Sequence, residues 1–224
     1  MKSFELTPDM LTGLPVSGPT DPLKYYRHPL VGRTYLERIN RGLRMLPDIR
    51  YERSLEVGYG AGAVLRALAD GVEELYGIDL DADPDILSSY FHGRNAKAEL
   101  KQGSVYDMPY ESNFFDLVVS FSVFEHLQEY QRALHEVHRV LKPNGLFLLG
   151  MPSVNKVMEA GFFAIGYKGI NDLHITKPED VAQQFEAAGL KCIKRSTLDF
   201  PLPSPFGLRL YHNWLLQKPA ANGC

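Results

Sequence analysis

Strand-length apolar segments and helical segments alternate strictly through the middle of the chain, and that alternation narrows the fold more than any other feature. Arg53 to Val57 reads as a strand, Ala61 to Asp70 as a helix with Val64, Leu65 and Leu68 apolar, and Glu74 to Ile78 as a second strand. A helix within Pro84 to Phe91, a strand at Ala98 to Gln102 and a continuous apolar run at Phe115 to Phe121 follow. An unbroken apolar run of that length marks a central strand buried on both faces. Glu129 to Leu141 is an amphipathic helix, with Tyr130, Ala133, Leu134, Val137 and Leu141 on its inner stripe. Lys142-Pro143-Asn144-Gly145 reads as a turn into a fifth strand at Leu146 to Leu149. Such β-α alternation implies an open, mostly parallel sheet with helices on both faces, and ligands then bind beyond the C-terminal strand ends.

Both ends of the chain differ from this core. Residues 1 to about 30 carry Pro8, Gly13, Pro15, Gly18, Pro19, Pro22 and Pro29, which predict extended or irregular backbone. Gly32 to Leu46 has a helical stripe of Tyr35, Leu36, Ile39, Leu43 and Leu46, closed by Pro47. After Pro178, Glu179 to Ala188 reads as a helix closed by Gly189. Leu190 to Leu198 and Leu208 to Gln217 then read as two successive strands, predicting an antiparallel addition to the sheet edge.

Of the chain's 224 residues, 24 are Lys or Arg and 27 are Asp or Glu, a net charge of −3 that leaves no basic footprint for nucleic acid. Two cysteines, Cys192 and Cys224, are too few for a secreted disulfide framework. No apolar run approaches the ~20 residues a bilayer demands. Met1 to Asp9 is not a signal peptide, so a cytoplasmic location is expected, with no membrane span.

Chemistry is expected at the first strand–helix turn, Glu56-Val57-Gly58-Tyr59-Gly60-Ala61-Gly62-Ala63. Glycines there permit a tight turn and close approach of backbone to a ligand. Gly58, Gly60 and Ala63 satisfy a dinucleotide fingerprint, and Gly58, Gly60 and Gly62 satisfy an E-x-G-x-G-x-G loop. Asp79 closes the second strand twenty-one positions after Gly58 (79 minus 58), a spacing suited to ribose hydroxyls. Both features fit NAD or an adenosyl sulfonium, so alone they leave a dehydrogenase and a methyl-transfer reading open.

Two further blocks separate these readings. Gly103-Ser104-Val105-Tyr106-Asp107-Met108-Pro109-Tyr110 with Asn113 to Ser120, and Glu136 to Leu148, follow in order. With the glycine loop they resemble class I S-adenosylmethionine-dependent methyltransferases of the small-molecule, type 11 or quinone-biosynthesis-like kind, over about 55 to 150. The resemblance implies an α/β fold: a doubly wound, Rossmann-like, mostly parallel seven-stranded sheet with an antiparallel C-terminal strand. It implies S-adenosylmethionine as cofactor and a small-molecule acceptor. Glu56 with Gly58, Tyr59, Gly60 and Gly62 would hold the methionine end, Asp79 the ribose, and Leu80 the adenine face. Ser104 and Val105 would border the adenine edge, and Ser120 and Phe121 the sulfonium. Ser104 departs from the acidic residue usual at its position, and a hydroxyl accepts less strongly than a carboxylate.

Histidines are the candidate bases. His126 follows the fourth strand, and His174 precedes the last helix in the loop that faces substrate in relatives. His135-Glu136-x-His138 lacks the i, i+4 spacing of a zinc helix, and both histidines are expected to face solvent. Methyl transfer needs no metal, and none is expected. The expected domains are a 1–50 segment serving as substrate cap and a 51–218 methyltransferase domain. Its insertion 152–177, with Met158 to Tyr167 apolar and aromatic, is expected as a lid. A cofactor-binding but non-catalytic partner or sensor stays open beside the enzyme reading, as do the accepting atom and the oligomeric state.

Overall fold

A computed structural model describes residues 4–16, 23–29, 31–92, 98–153, 174–199 and 209–220. Met158 to Tyr167 and the connection 201–207 lie outside the described residues, as does Cys224.

The strands are β1 (Tyr51–Val57), β2 (Val72–Asp79), β3 (Ala98–Gln102), β4 (Phe115–Phe121), β5 (Leu141–Pro152), β6 (Lys191–Asp199) and β7 (Arg209–Gln217). They form one seven-stranded sheet in the order β3-β2-β1-β4-β5-β7-β6. β1 pairs in parallel with β2 and β4, and chain order reverses there, so the crevice opens beyond the ends of β1 and β4. The helices are α1 (Leu23–Tyr26), α2 (Gly32–Leu43), α3 (Ala63–Leu68), α4 (Pro84–His92), α5 (Tyr130–Val140) and α6 (Pro178–Ala182).

Two apolar cores flank the sheet. Leu117, Val119 and Phe121 of β4 pack with Leu43 of α2 and Leu65 and Leu68 of α3. Val118 packs the other way, against Ala133, Leu134, Val137 and Val140 of α5. β4 is thus buried on both faces, as its unbroken apolar run predicted.

Several boundaries differ from the sequence reading, each for a local reason. The N-terminal stretch is not irregular throughout. It makes a 3-10 turn at Pro8–Leu11 and packs Leu6, Leu11 and Leu14 into the core. Asn40 satisfies its backbone, accepting from the Leu6 N–H at 2.7 Å and donating to the Leu6 carbonyl at 2.9 Å. Lys142 to Gly145 lies inside β5, because a bulge between Phe115 and Leu117 absorbs the extra residues and Asn144 takes φ 65. The C-terminal pair adds antiparallel beyond β5 as expected, with β7 against β5 and β6 outermost. The helix after Pro178 is only five residues long. Among the described residues, no helix is long and apolar enough to cross a membrane.

Candidate active site

The first turn folds as its glycines require. Gly58, Gly60 and Gly62 adopt φ 77, 46 and 75, the left-handed region in which a side chain is strained. A Cβ at Gly58 would overlap Cγ2 of Val123, so the loop and the turn after β4 touch backbone to side chain. Glu56 lies buried beneath the loop and accepts the Leu65 N–H at 2.9 Å, which caps α3 from inside. Burial holds its carboxyl well above the usual range, the Leu65 hydrogen bond opposing and the nearby Asp79 charge reinforcing. Tyr59 supplies backbone to the loop, but its ring is buried against Gly77 and its hydroxyl donates to the Ala82 carbonyl at 3.2 Å.

Asp79 organises the neighbouring loop. Its Oδ2 accepts the Gly60 N–H at 2.9 Å, and its Oδ1 accepts those of Asp81 and Ala82, each at 2.9 Å. A carboxylate offers about four acceptor positions, so the three amides leave roughly one for a ligand hydroxyl. Leu80 beside it is 66% exposed, an apolar platform at the strand end. Val105 is buried, and the Ser104 hydroxyl accepts the Tyr106 N–H at 3.2 Å while keeping its own hydrogen to donate.

The loop holding Ser104 is fastened by the third motif. Glu136 on α5 accepts the Met108 N–H at 2.8 Å and the Arg139 guanidinium at 2.6 Å. Arg139 in turn donates to the carbonyls of Tyr110 and Met108. The Glu136-Val-His-Arg139 segment therefore acts as a clamp on the pocket wall, remote from the reacting end. His135 is exposed as expected. His138 is half-buried, its ring lying where a Gly189 side chain would stand, and burial lowers its pKa.

Ser120 does not present its hydroxyl to the crevice. It is fully buried and donates to the Val57 carbonyl at 3.1 Å, tying β4 to β1. Phe121 packs among Gly42 and Gly150, where added methyls would collide with its ring.

Beyond β4, Ser122 takes φ 58 and turns the chain into a 3-10 segment, Phe124–His126. A non-glycine residue there is uncommon and recurs at functional turns. The Glu125 carbonyl accepts the N–H groups of Ile175 and Thr176, and the Thr176 hydroxyl donates to the Leu127 carbonyl at 2.6 Å. These bonds strap the later segment down and set the His126 and His174 rings 5.2 Å apart. Burial first, then the charges of His126 and Arg38, lower the His174 pKa to about 4. Burial raises that of Glu125 to about 8, with the Arg38 charge opposing. Donor atoms of Glu125, His126 and His174 lie within 4.8 Å of one another, yet the same guanidinium disfavours a cation among them.

The sequence reading missed Arg38, Ser122 and Tyr211. Arg38 Nη1 donates to the Ser122 hydroxyl at 3.2 Å, and that hydroxyl lies 2.9 Å from the Tyr211 hydroxyl. Arg38 stands three residues after Tyr35 on one helical face, a spacing that places it beside that tyrosine of the predicted stripe. Tyr211 left no signal, since 89 residues separate it from Ser122.

Residues 55–149 match the family model described as a methyltransferase domain. A protein of Mycolicibacterium smegmatis named a probable S-adenosylmethionine-dependent methyltransferase is 30% identical over 99 residues, covering 44% of this chain and 37% of that protein. The crystal structure of YcgJ from Bacillus subtilis has TM-score 0.56 at 19% identity, covering 79% of this chain and 95% of that one. The structure titled 4+2 cyclase SpnF has TM-score 0.69 at 16% identity, covering 92% of this chain and 86% of that one. The matched stretch spans about two fifths of the first curated relatives (37 to 39%).

Proposed function

We propose, from the premise that residues 55–149 are a class I S-adenosylmethionine-dependent methyltransferase domain, that the chain transfers the methyl group of S-adenosylmethionine to a small-molecule acceptor. The observation that carries this reading is the meeting of two parts at the open strand ends. The left-handed glycine loop with Asp79 and exposed Leu80 lies on one side, and the Ser122–His126 turn with His174 lies on the other.

Test of fit favours the group. The loop has no side chain where the methionine end would lie, and Gly58 accepts none. Glu56 and the loop would hold that end, Asp79 would take a ribose hydroxyl with its remaining lone pair, and Leu80 would lie against adenine. Ser104 would meet the adenine edge. When bound, the cofactor supplies a methyl group already activated on a sulfonium.

The chain's own residues then have two tasks. Holding the acceptor in line and dry accounts for up to ~7–11 kcal/mol of barrier lowering. A hydroxyl acceptor must also lose a proton, and a general base contributes roughly 10²–10⁴-fold. His174 is neutral at physiological pH, so it is free to accept a proton, and His126 stands against it to pass that proton outward. No covalent intermediate is required.

Calorimetry with S-adenosylhomocysteine, then methyl-labelled cofactor against a metabolite extract with mass spectrometry of the product, tests this. Binding followed by label transfer is expected, and absence of binding refutes it. A second reading, a non-catalytic cofactor binder or sensor, is favoured by one observation: a Ser104 hydroxyl, already accepting the Tyr106 N–H, stands where a carboxylate would grip adenine more strongly. Binding without label transfer would select it. Binding of NADH in place of S-adenosylhomocysteine would select a dehydrogenase.

A further inference from the structure

We propose that Arg38 anchors a carboxylate on the acceptor, so that the substrate is a small carboxylic acid methylated at another of its atoms. This rests on the methyl-transfer reading and deepens it.

Arg38 is set up as an anion receptor. Its guanidinium carbon lies 4.3 Å from the Tyr35 ring centroid, 5.3 Å from that of Tyr211 and 5.8 Å from that of Tyr26. Aromatic faces hold a guanidinium through its planes and leave its N–H edge free. Of the five N–H groups of an arginine, one reaches the Ser122 hydroxyl and one the Tyr26 hydroxyl at 3.4 Å. Nε is sealed from solvent and has no partner, although the side chain as a whole keeps some accessible surface. No carboxylate forms an ion pair with it among the described residues.

A shielded guanidinium without a counter-charge is unfavourable, because desolvation is not repaid. Glu125, whose carboxyl feels the Arg38 charge, does not repay it: burial keeps that carboxyl largely protonated at neutral pH, and its Oε2 is itself unpartnered. His174 is neutral beside it. Among the described residues the guanidinium therefore keeps an unpaired positive charge and N–H donors beyond the two already used, the arrangement a carboxylate meets with paired, charge-assisted hydrogen bonds.

Position links this receptor to the reacting centre. Arg38 bonds Ser122, and the adjacent Val123 touches Gly58 of the loop. A carboxylate tied up by arginine is a poor nucleophile, so the accepting atom lies further along the molecule, toward His126 and His174.

The test uses the full chain saturated with S-adenosylhomocysteine. Benzoate and hexanoate are titrated calorimetrically against benzamide and hexanamide. At least one carboxylate should bind tenfold or more tighter than its amide. Arg38→Met should bring that ratio near one, and Arg38→Lys should retain part of it. If the acids bind no better than the amides, or no probe binds, or Arg38→Met keeps the preference, the assignment is overturned. The wild-type comparison stands even where Arg38→Met fails to fold. Affinity for S-adenosylhomocysteine is read separately, and its absence in the wild type would refute the methyl-transfer reading instead.

Discussion

Replacing Glu125 by Gln should make the protein more stable relative to wild type as pH rises from 6.5 to 8. Glu125 is 1% exposed, and its Oε2 has no partner. Its pKa is raised from 4.5 to about 8, burial being the main cause. In this window the unfolded chain has released the Glu125 proton and the folded chain retains it. Stability then falls with pH, because the folded state binds more protons. At about 1.4 kcal/mol per unit, about 1.5 units give about 2 kcal/mol. Gln cannot ionise and keeps the neutral shape, so its curve lacks that slope. The window begins at 6.5 because below it the depressed pKa of His174 adds a slope of opposite sign. Urea unfolding of both proteins at pH 6.5, 7.2 and 8.0, with m-values compared, measures the difference. A difference that stays flat, or runs the other way, would refute the reasoning. Glu125 would then be ionised throughout and would neutralise Arg38.

Three further predictions concern the crevice. Gly58→Ala combines a left-handed φ with a clash against Val123, and should cost about 2–4 kcal/mol and weaken S-adenosylhomocysteine binding at least tenfold, read by calorimetry. Ser104→Asp restores an anionic acceptor while keeping the turn to Tyr106, and should tighten that binding by about tenfold; an unchanged Kd would mean that adenine does not reach this loop. His174→Gln should lower kcat by roughly 10²–10⁴ with little change in cofactor affinity if it is the base, and His126→Gln by less; equal, small effects in both would remove the histidines from proton transfer.

The parallel sheet was legible along the chain because its information is local. β3 and β4 begin and end where the sequence reading put them, at Ala98–Gln102 and at the apolar run Phe115–Phe121. The glycine loop was equally legible, since only glycine relaxes into its left-handed turns. Asp79, at its fixed distance from Gly58, could be picked out too, but its three amide partners could not. The Glu136–Arg139 motif was recognised as a resemblance, and only its bonds to Met108 and Tyr110 revealed a clamp. Sequence misled where long-range packing outweighs local preference. Proline and glycine near the start predicted loose chain, yet Leu6, Leu11 and Leu14 found a core that local patterning cannot display. The two adjacent C-terminal strands were correctly read as an antiparallel edge addition, but not that the later one, β7, would be the inner of the two.

The acceptor side of the crevice was decided almost wholly in three dimensions. Arg38, Ser122 and Tyr211 come from a helix, a turn and the last strand, 84 and 89 residues apart in the two contacts that join them. A linear pattern records what neighbours along the chain require of one another. Charge, burial and missing partners arise only when distant segments remove water from the same place.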